Sequence, residues 1–300
     1  MQYRQIAKEI LVSLADAAPG SFERIAQSKF PWLSKWAASA IRIRRVRKTQ
    51  FPRYYLPKES FGTAYGGWTI PINFLNANSV VYLVGAGEDI SFDVSIARKY
   101  KCRVNIFDPT PRARTHFEKL ASYVSSGGDF PFAEHLKAFY SIHAEEFKKL
   151  HFHPYGIWHI NDSLRFYAPK NSQHVSHSLL NLQKTQQYFD AQVKDLLTIM
   201  RELEHQKIDL LKIDIEGAEY EVLKSILSNK IRISIICCEY DEHFYRLDGK
   251  YLDRIRDSVD SLQKSGYVVI DQDSQCNFTF VRRVDFPHLR LSENTSSRIL

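Results

Sequence analysis

The chain has 300 residues, of which 44% are apolar, 13% aromatic and 25% charged. That mixture folds, which excludes bulk disorder. No uninterrupted apolar run reaches the roughly eighteen residues of a membrane-spanning helix. The net charge of +7 is uneven: residues 1–60 carry twelve Lys/Arg against four Asp/Glu, and the other 240 carry 29 against 30. The basic excess therefore belongs to the N-terminal fifth, which argues against the basic catalytic face of a nucleic-acid enzyme.

Arg4, Lys8, Glu9 and Asp16 interrupt the apolar residues of the first segment, so a secretory signal is not expected. Ile6, Ile10, Leu11 and Leu14 follow helical spacing. Ala18-Pro19-Gly20 stops that helix. Arg42, Arg44, Arg45, Arg47 and Lys48, followed by Arg53, form the centre of charge. Two readings stay open for residues 42–53. One is a solvated helix face; the other is contact with an anionic membrane, where each Lys/Arg adds about 1 kcal/mol. The expected location is cytoplasmic, with peripheral attachment at the inner membrane face as the second possibility. Residues 1–60 are read as a helical basic extension, 61–290 as one domain and 291–300 as a tail. Phe51 to Pro71, rich in Tyr, Gly and Pro, reads as loop. Cys102, Cys237, Cys238 and Cys276 form neither a disulfide framework nor a C-x-x-C zinc pair, and are expected as small buried side chains.

From residue 79 the pattern alternates strand and helix. Ser79–Val84 is a buried-type strand and Gly85–Asp89 a turn. Ile90, Val94 and Ala97 then mark a helix. Arg103–Phe107 is the second strand, ending at Asp108. Thr110-Pro111 opens a helix with a capping hydroxyl and a first-turn proline. Residues 129–150 are helical in part. Tyr155–Ile160 and Leu164–Ala168 are strands joined as a hairpin at Asn161-Asp162, and 171–190 is a long polar loop of the functional kind. Val193–Leu203 is a helix. Ile208–Ile215 is a strand, followed by a helix with Val222, Leu223, Ile226 and Leu227 on one face. Ile231–Cys238 is a strand, and Leu252, Ile255, Val259 and Leu262 mark a helix closed by Gly266. Tyr267–Asp271 and Phe278–Arg282 form a terminal strand pair. The alternation predicts an α/β fold, a parallel sheet covered by helices on both faces, with ligands at the carboxyl ends of the strands.

Three motifs fall at those ends. Gly85-Ala86-Gly87-Glu88-Asp89 brings backbone close to a ligand. Ile90 stands where a dinucleotide fingerprint needs its third glycine. Glu88 and Asp89 at the helix start suit a cation, such as a sulfonium with an amino-acid tail, better than a phosphate. Asp108 suits the ribose hydroxyls of an adenosine ligand. Asp214 and Glu216 end an apolar strand, and their i,i+2 spacing puts them on one side if the chain is still extended. A ligand ammonium or a backbone network would account for such acids. Trp158 is placed to stack on an adenine or to pack in the core. Tyr65-Gly66-Gly67-Trp68 is a lid or a packing turn.

V-Y-L-V-G-A-G-E-D-I-S-F-D, I-F-D-P-T-P-R, H-V-S-H-S-L-L-N-L-Q and L-L-K-I-D-I-E-G-A-E-Y-E-V-L, in that order over residues 60–285, resemble the FkbM-type S-adenosylmethionine-dependent methyltransferases. The resemblance implies a class I methyltransferase, Rossmann-like sheet of seven strands, the last antiparallel. It implies S-adenosyl-L-methionine as cofactor and methyl transfer to a hydroxyl of a sugar, glycan or natural product. It implies that Gly85, Gly87 and Glu88 hold the methionine part, Asp108 the ribose, where the family often has Glu, and that Asp214 and Glu216 line the floor. A hydroxyl acceptor needs a base or a metal. His177, within H-V-S-H-S, is the favoured base; Glu216 and His243 are further catalytic candidates, with His174 beside them. Glu239, Asp241 and His243 are candidates for a divalent metal, against a solvated acidic strand end. His151 and His153 read as scattered polar residues. Rival readings are a nicotinamide oxidoreductase, a nucleic-acid methyltransferase and a non-catalytic cofactor- or glycan-binding module. The absent third glycine disfavours the first. The absence of an Asn/Asp-Pro-Pro-aromatic block disfavours the second.

Overall fold

Apolar runs of four to seven residues become the strands of one sheet because both of their faces are covered. In a computed structural model these are β1 (Val81–Val84), β2 (Val104–Phe107), β3 (Leu150–His153), β4 (Ile208–Ile213), β5 (Ile233–Glu239), β6 (Tyr267–Gln272) and β7 (Asn277–Arg282). The structure describes residues 51–127, 130–132, 138–170, 177–181, 183–243, 247–273 and 276–292, with 130–132, 138–140 and 243 described by backbone alone. The predicted helical extension, its basic run 42–48, His174 and most of the C-terminal tail lie outside the described residues. Among those residues no helix is long and apolar enough to cross a membrane.

The strand order is β6-β7-β5-β4-β1-β2-β3. β1 to β5 run parallel, and β7 is antiparallel to both β5 and β6. Side-chain alternation sends Val81 and Leu83 to one core and Tyr82 and Val84 to the other. Helices α1 (Ser91–Tyr100) and α2 (Pro111–Ser125) cover the first face with Val94, Ile96, Ala97, Ala113 and Leu120. Helices α3 (Leu196–Glu202), α4 (Glu219–Ser228) and α5 (Tyr251–Lys264) cover the second with Ile199, Val222, Ile226, Ile255 and Val259. The α2 start is as the sequence implies: Thr110 Oγ1 accepts from Ala113 N and Pro111 fills the first turn.

Several expectations change. Residues 129–150 are helical in part, over Ala144–Phe147, but that reading does not foresee the edge strand β3. Its Leu-His-Phe-His run alternates, with Leu150 and Phe152 toward one core. His153 stacks on Phe107 (centroids 4.7 Å apart) and its Nε2 meets Asn105 Oδ1 at 3.2 Å, so these histidines are sheet residues rather than scattered ones. The hairpin at Asn161-Asp162 does not form. Gly156–Trp158 and Asp162–Tyr167 are both strands, but Tyr188–Asp195 lies between them, parallel to the first and antiparallel to the second. That inserted strand occupies the end of the predicted polar loop. Phe189, Ala191 and Val193 turn inward and Tyr188, Asp190 and Gln192 outward, a period of two hidden by its polar half. The helix expected from Val193 therefore starts at Leu196, capped by Asp195, whose carboxylate accepts from Thr198 N. The segment read as loop before Pro71 contains the antiparallel pair Lys58–Phe61 and Trp68–Pro71. Tyr54–Tyr55 pairs with Arg290–Leu291, and Arg53 bridges to Val269, which closes the β6 edge.

Candidate active site

The carboxyl ends of β1, β2, β4 and β5 open on a cavity of about 410 Å³, within the size range of small-molecule and cofactor sites. Across the sheet its wall changes character. Phe107, Ile157 and Phe166 line it on the β2 side, and Asp214, Glu216, Glu239 and Asp241 on the β4–β5 side, with Leu179 as a further apolar lining residue. Ala64, Tyr65 and Gly66 supply a further wall.

The glycine turn follows from a close approach. Gly85 has φ +83°, and a Cβ there would lie 1.8 Å from the Asp214 carbonyl oxygen. No other residue fits. Asp108 organises the turn from below: Oδ2 accepts from Ala86 N and Gly87 N, both at 2.9 Å, and Oδ1 accepts from Thr110 N at 2.7 Å and Thr110 Oγ1 at 2.6 Å. The predicted ribose residue thus lines the cavity while tying two loops together. Glu88 also lines it, and its carboxylate is held by Arg112 (Nε–Oε1 3.0 Å, Nη2–Oε2 2.7 Å). Asp89 accepts from Thr63 Oγ1 at 2.7 Å and from Ser91 N at 2.9 Å. It thereby pins the Tyr65-Gly66 segment, where a Cβ on Gly66 would lie 2.4 Å from Asp89 Oδ2.

Sequence reasoning passed over Lys212 as a site residue. Its Nζ donates to the Gly85 carbonyl at 2.5 Å and to Asp214 Oδ2 at 2.9 Å, and the side chain is buried. Burial alone would lower its pKa, but Asp214 and Asp93 outweigh that and raise it. The signal was present: a lysine inside an apolar strand needs a buried partner. Asp93 on α1 is buried and pushed up to about 7 by that burial, which Lys212 only partly offsets.

Asp214 and Glu216 do not share a face of an extended strand. β4 ends at Ile213, and Glu216 has φ +57°. The turn nevertheless brings carboxylate oxygens of Asp214, Glu216 and Asp241 within 4.8 Å of one another. Burial raises Glu239 to about 9, with Asp214 the next cause. Burial also holds Asp241 well above the carboxylate range, with Glu216 and Glu219 adding repulsion. Glu219, at the start of α4, is raised to about 8 by the same cause. His177 lines the cavity, edge-on to Phe189 with centroids 5.2 Å apart. Its neighbour Ser178 donates from Oγ to the Glu216 carbonyl. The H-V-S-H-S block and the Asp-Ile-Glu block therefore meet. Trp158 does not line the cavity: it packs against the α3–α5 core with its ring tilted against His159 (centroids 4.7 Å apart), while Gly156 and Ile157 before it reach the site. His243 lies in the turn Asp241–His243 after β5, described by backbone alone, so the predicted Glu239–Asp241–His243 set is represented by its two acids.

A β6-β7-β5-β4-β1-β2-β3 sheet, wound on both faces, with a glycine turn after β1 and acids after β2 and β4, defines a class I methyltransferase. Residues 79–269 match the methyltransferase FkbM domain, and the chain belongs to that family. No curated protein matches the chain. Among solved structures, it is similar to the Methanococcus jannaschii fibrillarin pre-rRNA processing protein at 12% identity (TM-score 0.37, 70% of this chain and 69% of that one). It is similar to an rRNA methylase from Streptococcus thermophilus at 10% identity (TM-score 0.34, 69% and 87%). It is also similar to M. jannaschii TYW2 in complex with AdoMet at 10% identity (TM-score 0.28, 76% and 84%).

Proposed function

We propose that this methyltransferase uses S-adenosyl-L-methionine to methylate a hydroxyl of a sugar, glycan or natural product. The carrying observation is the polarity of the cavity. Its apolar β2 side suits an adenine ring, and its acidic β4–β5 side suits first a sulfonium and then an acceptor hydroxyl. Gly85 and Gly87 bring backbone to the cofactor. Asp108 holds that turn in shape, and Asp89 adds a negative charge near its start.

The acceptor oxygen attacks the methyl carbon as the carbon–sulfur bond breaks, and the bonding pair leaves on sulfur as a neutral thioether. The hydroxyl proton must pass to a base at the same end. His177 is the favoured base, with Glu216 beside it across the Ser178 contact. Fixed alignment supplies most of the rate for so good a leaving group.

Calorimetric titration of S-adenosylhomocysteine, with NAD as control, tests the cofactor. Binding in the micromolar range for the thioether and none for NAD is expected; NAD binding alone would overturn the reading. A sugar and natural-product panel with labelled cofactor then tests the acceptor. Product carrying the methyl on nitrogen would remove the hydroxyl reading. His177→Gln is expected to lower kcat by about 10²-fold or more while thioether affinity stays.

A further inference from the structure

We propose that Lys212 recognises the carboxylate of the cofactor's amino-acid tail, with Asp214 beside it for the tail's ammonium. This role rests on the methyltransferase reading. An α-amino acid carries opposite charges on one carbon, so its site needs opposite charges side by side. Lys212 Nζ lies 2.9 Å from Asp214 Oδ2.

The cavity is short of cations. Seven carboxyl groups line it, and Lys212 is its one Lys or Arg among the described residues. An anionic tail is repelled along most of such a wall. Backbone donors, which commonly take an anion beside a glycine turn, are already engaged. Gly85 N donates to the Phe107 carbonyl at 3.0 Å and Asp89 N to the Ala86 carbonyl at 3.2 Å. Ala86 N and Gly87 N both donate to Asp108 Oδ2. At the start of α1, Ser91 N donates to Asp89 Oδ1. The Thr110 hydroxyl donates to Asp108 as well. Glu88, expected to hold this part of the cofactor, is gripped by Arg112.

Lys212 has capacity left. An ammonium carries three hydrogens. Two go to the Gly85 carbonyl and to Asp214 Oδ2, and the third meets no acceptor among the described residues. The residue is only 6% exposed, and a buried donor without an acceptor is costly. Burial opposes the charged form, but Asp214 and Asp93 outweigh it, so the ammonium persists. A carboxylate completes its set through a charge-assisted bond in a water-poor site.

The test is calorimetric titration of S-adenosylhomocysteine, and of its decarboxylated analogue that keeps the amine, into the full chain. Lys212→Met should weaken the intact thioether at least about tenfold more than the analogue, the effect of one charge-assisted hydrogen bond. Lys212→Gln, which keeps a donor but no charge, should give the same result and serves if the methionine variant does not fold. Val259→Ala, a core truncation on α5, controls for lost stability and should leave the ratio of the two affinities unchanged. An equal loss for both compounds in the lysine variants would make Lys212 a clamp on the turn alone and overturn the assignment. So would affinities that do not move. Either result leaves the methyltransferase reading standing, because the wild type still binds the thioether. Binding of neither compound to the wild type overturns that reading, and the assignment falls with it.

Discussion

Asp108 spends both carboxylate oxygens on the protein. Four donors converge on it, two from the glycine turn and two from Thr110. Asp108→Asn would set an amide NH₂ against one pair of donors. Breaking buried charge-assisted hydrogen bonds in this way costs about 3 kcal/mol, so Tm should fall by about 6–12 °C. A fall of under about 2 °C in a thermal melt would contradict that role. The site's acids were legible because charge in or beside an apolar strand demands explanation. Asp214 and Glu216 were found on that ground and Asp108 from its place at a strand end, and the same signal at Lys212 went unread. Asp241 was legible as a candidate, but its meeting with Glu216 depends on the left-handed turn at 216, which spacing does not reveal. Trp158 was misplaced because its strand belongs to the small sheet.

The long helices and most core strands were legible from periodicity and caps, α2 most clearly. Thr110→Ala removes an N-cap oxygen and one donor to Asp108. A loss of about 1–2 kcal/mol is expected, and Thr110→Ser should restore most of it in denaturant unfolding. Two of the strands that escaped notice share a cause. In β3 and in Tyr188–Asp195 every second residue is polar or aromatic, so hydropathy averages out while the alternation remains. The second case also undid the expected hairpin, because pairing order within a sheet follows from long-range contacts.

For the whole molecule, opposing sets of buried ionisable groups shape the pH dependence of stability. His116 and His153 are lowered to about 4, burial being the main cause. Each contributes stability that is present above the unfolded value near 6.5 and lost as pH falls toward 4. Asp93, Glu219 and Glu239 are raised to about 7, 8 and 9. They retain protons that the unfolded chain has released, so their stability is lost as pH rises. Below about pH 6.5 the two sets oppose one another; above it the carboxylates act alone. The protein should therefore lose Tm steadily between pH 6.5 and 9, and Glu239→Gln should flatten that slope. A Tm constant over that range would contradict the burial described for these acids.

The four cysteines are buried and unbridged. Burial pushes the Cys102 thiol up to about 11 and the Cys237 thiol up to about 12. Native protein should then react slowly with a thiol dye at neutral pH, since the thiolate is the reactive form. The sulfurs become an internal stopwatch for opening. Cys102 sits between α1 and β2, Cys237 and Cys238 within β5, and Cys276 just before β7. A common labelling rate at all four, read by mass spectrometry of peptides, would mean that the sheet opens as one unit. A faster Cys102 would mean that the α1–β2 side unzips before the strands that carry the acids.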